Sequence, residues 1–155
     1  MHPKRFALIG GLLMIIVGVL AFIPTLSTDS VGLPVLNLDA SYGLFLGYFP
    51  MNILNKAALI ILGVLGVLAA SRESIRLPMS IQYSRLVFYV LAALAILGLF
   101  PQTNTLFGYW PLFGNEVWFH AVVAVVGAYF GFALTNKAME HSRLKPQHDR
   151  PAHGI

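Results

Sequence analysis

The amino-acid sequence predicts an all-α fold: an integral membrane four-helix bundle built from two duplicated helical hairpins, with both termini cytoplasmic. Three observations carry that prediction. Of the 155 residues, 57% are hydrophobic and only 10% are charged, against roughly 45–50% and about 25% in an ordinary soluble domain. A water-soluble chain of this size has no interior large enough to hide that much apolar surface. The apolar residues gather into four runs, each close to the about 20 residues that cross a hydrocarbon core roughly 30 Å thick. Finally, nine of the ten Lys and Arg residues fall in three stretches that lie on one side once those runs are drawn as spanning helices.

The first run, Phe6–Leu26, follows Lys4 and Arg5. Its apolar stretch is long and no clean small-x-small cleavage pattern follows, so an uncleaved helix is expected in place of a signal peptide. The second run is Met51–Ala70, and the outer connection before it, about 27–50, carries Val31, Leu33, Val35, Leu36, Leu38 and Leu44–Leu46. That connection is too apolar for a freely solvated loop and is expected to lie on the membrane surface or to pack over the bundle mouth. Backbone at that depth needs hydrogen-bond partners, which favours a short hairpin or interfacial helix over open coil. The third run is Tyr83–Phe100, and the fourth, Glu116–Thr135, follows a second outer connection at about 101–115. Residues 1–140 then form one four-helix domain, and 141–155, polar and Pro-punctuated, a flexible cytoplasmic tail.

Charge sets the orientation. Lys4 and Arg5 precede the first helix, Arg72, Arg76 and Arg85 bracket the turn between the second and third, and Lys137, Arg143, Lys145 and Arg150 follow the fourth. The positive-inside rule makes these stretches cytoplasmic. The two outer connections contain no Lys or Arg and carry Asp29 and Asp39. Aromatic residues crowd the same end, including Tyr48, Phe49, Tyr109, Trp110, Trp118 and Phe119, and amphipathic rings favour the headgroup level.

An internal repeat supports the duplication. Leu46-Gly-Tyr-Phe-Pro50 recurs as Phe107-Gly-Tyr-Trp-Pro111, each just before a helix, and Pro24 and Pro101 close the helices before them. Asn52-x-x-x-Lys56-Ala-x5-Gly63 likewise parallels Glu116-x-x-x-His120-Ala-x5-Gly127. The competing reading is convergence on common helix-start chemistry, a Pro near the first turn and then a polar cap.

Residues four apart share a helix face, so Asn52 with Lys56, and Glu116 with His120, form polar stripes reaching one turn into the membrane. Gly63 and Gly127 lie deeper on those stripes, where a missing side chain lets a neighbouring helix approach. The stripes are therefore expected to face the bundle interior. Glu116 suits the positive end of a helix dipole and Lys56 does not, so Lys56 needs compensation. If the hairpins pack side by side, Glu116 is its expected partner, with Asn52, Asn55, Asn115 and His120 supporting the pair. Such a cluster reads either as a structural cap that aligns the hairpins, or as a small site in which His120 exchanges a proton while Glu116 tunes it or binds a cation.

Other chemistries are excluded or poorly served. The chain has no cysteine, which removes disulfides, thiolate metal sites and thiol redox chemistry. The formal net charge of +4 arises from residues flanking helices, not from a soluble patch interleaved with stacking aromatics, so nucleic acid is not an expected partner. Haem held by two intramembrane histidines needs a second one besides His120. His141, His148 and His153 match no tight metal spacing, and no phosphate loop, nucleophile elbow or paired-carboxylate motif is present. No metal and no cofactor is expected.

The segment Phe49-Pro-Met-Asn52 with Gly63 downstream, and Glu116-Val-Trp-Phe-His120 with Gly127, resemble a bacterial family of small four-helix integral membrane proteins classed as a domain of unknown function. The resemblance covers about residues 6–135. That family tends to carry histidine in both hairpins, whereas this chain has Lys56 in the first. A weaker similarity, in helix count and size, is to DoxX-like membrane proteins, which are associated with quinone or thiol oxidation. The resemblance implies a multi-pass protein of the bacterial inner membrane. The leading functional expectation is a non-enzymatic structural or accessory subunit in the lipid bilayer, with a membrane-protein partner or as a homo-oligomer. The alternatives are a quinone- or redox-linked oxidoreductase subunit and a small transporter or channel subunit.

Overall fold

The computed structural model describes residues 3–71 and 76–135. The expected tail, together with Arg72, Lys137, Arg143, Lys145 and Arg150, lies outside the described residues. Four helices dominate: α1 (Pro3–Leu20), α2 (Ile53–Ser71), α3 (Arg76–Leu99) and α4 (Asn115–Ala128), the last continued by a π-helical turn over Tyr129–Ala133. All four are long and apolar enough to cross a membrane, α4 with its π turn included.

The helix ends differ from the expected ones for identifiable reasons. Helix α1 stops at Leu20, short of Leu26, because Pro24 drives the residue before it out of the helical region; Ile23 sits at φ −78° and ψ 116°. Helix α3 begins at Arg76, well before Tyr83, since Pro78 falls in the first turn, where its missing N–H has no intrahelical partner to lose. Helix α2 starts at Ile53 and leaves Asn52 outside as its N-cap.

The expectation of a purely α fold holds for the helices and fails in the first connection. There β1 (Ser27–Thr28), β2 (Gly43–Phe45) and β3 (Phe49–Met51) form a three-stranded antiparallel sheet in the order β1-β2-β3. Ser27 pairs with Phe45, and Gly43 with Met51. The β2–β3 hairpin turns through Leu46 and Gly47, both in the left-handed region at φ 52° and 75°. Strand pairing satisfies main-chain groups that a coil near the hydrocarbon would leave unpaired.

Helices α1 and α2 form one antiparallel hairpin, and α3 and α4 the other. The first is held at backbone contact: a Cβ on Gly63 would lie 2.5 Å from the Gly11 carbonyl oxygen, and one on Gly11 would lie 2.6 Å from that of Gly63. In the second hairpin a Cβ on Gly127 would stand 3.0 Å from the Ser84 oxygen. Small residues permit such approach where apolar packing against lipid offers no separate drive for association. Burial recurs every three or four residues on the two lead helices: Phe6, Ala7, Gly11, Met14, Gly18 and Ala21 are buried along the α1 line, and Tyr83, Ser84, Val87, Leu91, Ala95 and Gly98 along α3.

A core away from the sheet ties the hairpins together. Phe6 stacks on Phe130 at 4.9 Å, and the Tyr83 hydroxyl lies 3.6 Å from the Met14 sulfur. Arg85 donates from Nε to the Gly131 carbonyl at 2.9 Å and lies over the Phe132 ring at 5.0 Å, at the π turn. Leu13, Ile16, Ile61, Leu68, Ile96 and Val125 are exposed on the outside of the bundle, the arrangement of helices whose solvent is lipid.

Candidate site at the bundle mouth

The start of α2 is a reciprocal cap. Asn52 Oδ1 accepts from the backbone N–H groups of Leu54 and Asn55, and Asn55 Oδ1 accepts from the Asn52 N–H at 3.2 Å. The two asparagines thereby satisfy N–H groups that a helix start leaves without intrahelical partners. Their amide nitrogens reach outward. Asn52 Nδ2 donates to the Tyr109 carbonyl at 2.8 Å and to that of Leu38 at 3.0 Å, while Asn55 Nδ2 donates to Pro111 at 3.3 Å. From the other side, Asn115 Nδ2 donates to the Tyr48 carbonyl at 3.2 Å. Tyr48 and Tyr109 are the matched tyrosines of the repeated pentapeptide, so each hairpin start grips the other copy of the motif.

The connections themselves also join. Asn37 donates from its backbone N–H to Gly108 O at 2.7 Å, and from its side chain to Phe107 O at 3.1 Å. Gly108 is required here twice over: its φ is +86°, and a Cβ would meet the Asn37 amide at 2.7 Å. The first connection thus packs over the mouth, one of its two expected placements, with Val31 and Val35 left at its exposed edge.

Lys56 is 2% exposed. Its ammonium donates to the Ser41 carbonyl at 2.8 Å and to the Ser41 hydroxyl at 2.7 Å, and lies 5.5 Å from the centre of the Phe22 ring. The expected Lys56–Glu116 pair does not form. Helix α2 turns the backbone of Lys56 against Gly18 of α1, which sends the side chain to the first connection and away from α4. Ser41, at φ 57°, is the partner that sequence reasoning missed; nothing in its local sequence marks it as an acceptor.

Glu116 pairs within its own helix. His120 Nε2 lies 3.2 Å from Glu116 Oε2, one turn apart, with Glu116 2% and His120 7% exposed. Helix α4 has no side-chain cap, its N-cap being Gly114 at φ 65°, so the carboxylate of Glu116 complements the first turn through the helix dipole instead. Beside the pair is a small cavity of about 50 Å³ lined by Asn55, Glu116 and His120 together with Trp110. Of the six residues expected to form one polar cluster, three therefore meet at a cavity, Asn52 and Asn115 staple the connections, and Lys56 stands apart. Trp110 joins the cavity unexpectedly; its place in the repeated pentapeptide, where Phe49 stands in the other copy, is the signal that marks it.

The site holds no group of three or more His, Asp or Glu side chains suited to a metal ion among the described residues. No curated protein and no solved structure matches the chain. A family model does match, over residues 4–133, which include all four helices and the whole mouth. The chain accordingly belongs to the family described as Domain of unknown function (DUF4383).

Proposed function

We infer that the protein is a non-enzymatic multi-pass protein of the bacterial inner membrane, an accessory subunit whose two hairpins are copies of one unit. The observation that carries this reading is the crossed set of asparagine amides, Asn52 to Tyr109 and Asn115 to Tyr48, together with the fully engaged Lys56. The asparagine amides at the mouth fasten one hairpin to the other, and Lys56 ties down the connection of its own hairpin. The left-handed residues Leu46 and Gly47 in one pentapeptide, and Phe107 and Gly108 in the other, support the duplication.

In this reading both termini are cytoplasmic. The support is charge: Lys4, Arg5 and Arg85 lie toward the end away from the sheet, and the connections at the mouth lack Lys and Arg. A transport path draws less support, because the rest of the cavity lining is apolar, with Ala58, Leu62, Val90 and Leu94 among it. The test is the particle extracted in native lipid by a membrane-solubilising polymer. An accessory subunit leaves the membrane in a particle whose protein mass exceeds that of one 17.0 kDa chain, with a partner or further copies in fixed ratio. A lone chain carrying a bound chromophore or quinone overturns the reading.

A further inference from the structure

Glu116 and His120 use only half of their polar atoms on one another. Glu116 Oε1, His120 Nδ1 and Trp110 Nε1 are each buried without a hydrogen-bond partner among the described residues, and all three side chains line the same cavity of about 50 Å³. An unpartnered buried polar group typically costs about 1–3 kcal/mol, so three around one cavity form a coherent feature. A buried water needs roughly 10–15 Å³ of such volume and two to four polar partners; the cavity supplies both.

The donor and acceptor inventory is complementary to water. With His120 donating from Nε2 to Glu116 Oε2, its Nδ1 is an acceptor; Glu116 Oε1 is a second acceptor, and the Trp110 indole N–H is a donor. Because Nδ1 points away from the Nε2–Oε2 contact, no single water reaches both acceptors. The cavity has room for more than one, and waters donating to Glu116 Oε1 and to His120 Nδ1, with one accepting from Trp110, satisfy all three. The charged and titratable groups around the pair are few. Helix α2 presents Asn55 and apolar side chains, α3 presents Val90, Leu91 and Leu94, and the second connection presents Trp110. Lys56, the nearest basic residue in sequence on α2, has its ammonium at Ser41. Among the described residues no cation other than His120 pairs with Glu116.

We propose that Glu116, His120 and Trp110 form a hydrated proton-binding site at the mouth of the bundle, in which waters in the cavity hydrogen-bond the three side chains and the Glu116–His120 pair takes up one proton. In the deprotonated form His120 donates from Nε2 to the Glu116 carboxylate. Uptake adds one proton and one positive charge to the pair, giving either an imidazolium or a carboxylic acid hydrogen-bonded to imidazole, with the waters turning to donate or accept accordingly. The proton comes from bulk water and returns there; no bond to carbon is made or broken.

The test uses the full chain in lipid nanodiscs. Water-edited solid-state NMR with 15N-labelled tryptophan reports whether water contacts the Trp110 indole N–H, assigned against Trp118 by Trp110→Phe. Infrared titration of the same sample follows the Glu116 carboxyl stretch, assigned by its loss in Glu116→Gln. The expected result is rapid water transfer to Trp110 and a carboxyl signal that changes with pH, shifts in D2O and moves its midpoint in His120→Gln. A dry Trp110 N–H, or a carboxyl signal that stays constant over the pH range the fold tolerates, overturns the proposal. Should Glu116→Gln fail to fold, Trp110→Phe gives the second reading: it must shift the titration midpoint, and an unmoved midpoint equally overturns the site.

Discussion

The starts of α2 and α4 carry polar residues at the same four-residue spacing and use them in opposite ways. At the first, Asn52 and Asn55 cap the helix reciprocally, and Lys56 is bound by Ser41 and Phe22. At the second, Gly114 supplies no side-chain cap, and Glu116 and His120 pair with each other while one polar atom of each remains without a partner among the described residues. The difference teaches that the same spacing at a helix start buries its polar residues in both places, whereas side-chain chemistry and the neighbouring element decide whether a buried polar group serves architecture or is left available. The first mouth is a fastener, and the second retains uncommitted polar atoms beside a cavity.

The largest expected effect falls on the fastener. Asn52→Ala removes the cap, worth about 1 kcal/mol, and strips the buried start of its amide bonds at about 1–3 kcal/mol. A combined loss of about 2–4 kcal/mol is expected in unfolding measured in mild detergent. An effect no larger than that of Asn115→Ala, whose bond is exposed, breaks the comparison. Next in size is a pair of glycine substitutions. Gly63→Ala forces a methyl into the Gly11 backbone and should cost about 1–3 kcal/mol, the range for overpacking. Gly127→Ala meets a looser contact and should cost clearly less, which the same unfolding assay resolves.

Lys56→Met is expected to cost about 1 kcal/mol net, since lost charge-assisted bonds are partly offset by the ammonium no longer being desolvated. Its sharper signature is faster proteolysis within residues 27–50, because Ser41 loses the ammonium that holds it. The Glu116 carboxyl titration should not move in this variant; a shift would show that the two mouths are coupled. The smallest effect concerns Tyr42, in the first connection. Its hydroxyl donates to the Pro34 carbonyl at 3.0 Å, and burial raises its pKa above the ordinary 10.0. The neutral phenol is the form the fold favours, so its contribution is complete below pH 10 and declines as pH rises through the higher folded value. Proteolysis of the connection should therefore quicken at strongly alkaline pH. Tyr42→Phe, costing about 0.5 kcal/mol through the lost bond, should remove that part of the pH dependence.

Much of the frame was legible in the linear pattern. Spanning helices show as long apolar runs, and Pro24 and Pro78 explain the shifts at the ends of α1 and α3. The hairpin at Leu46–Gly47 agrees with the apolar character of the first connection. The partner of Lys56 was not legible, because proximity of Glu116 in the repeat says nothing about which way α2 is rolled. That roll is set by Gly11, Gly18, Gly63 and Gly66 packing α1 against α2, a contact between segments far apart in sequence.

Composition and periodicity alone determined four membrane-length helices and the end of the bundle at which the polar residues gather. These follow from local chemistry, since each apolar run must meet hydrocarbon and each polar helix start must stay near the interface. Only the tertiary structure decided that Lys56 would be held by Ser41, that asparagine amides would cross between the two pentapeptides, and that Trp110 would close a cavity over Glu116 and His120. Those outcomes depend on helix rotation and close backbone contact, which arise when the hairpins pack and are encoded in no single stretch of the chain.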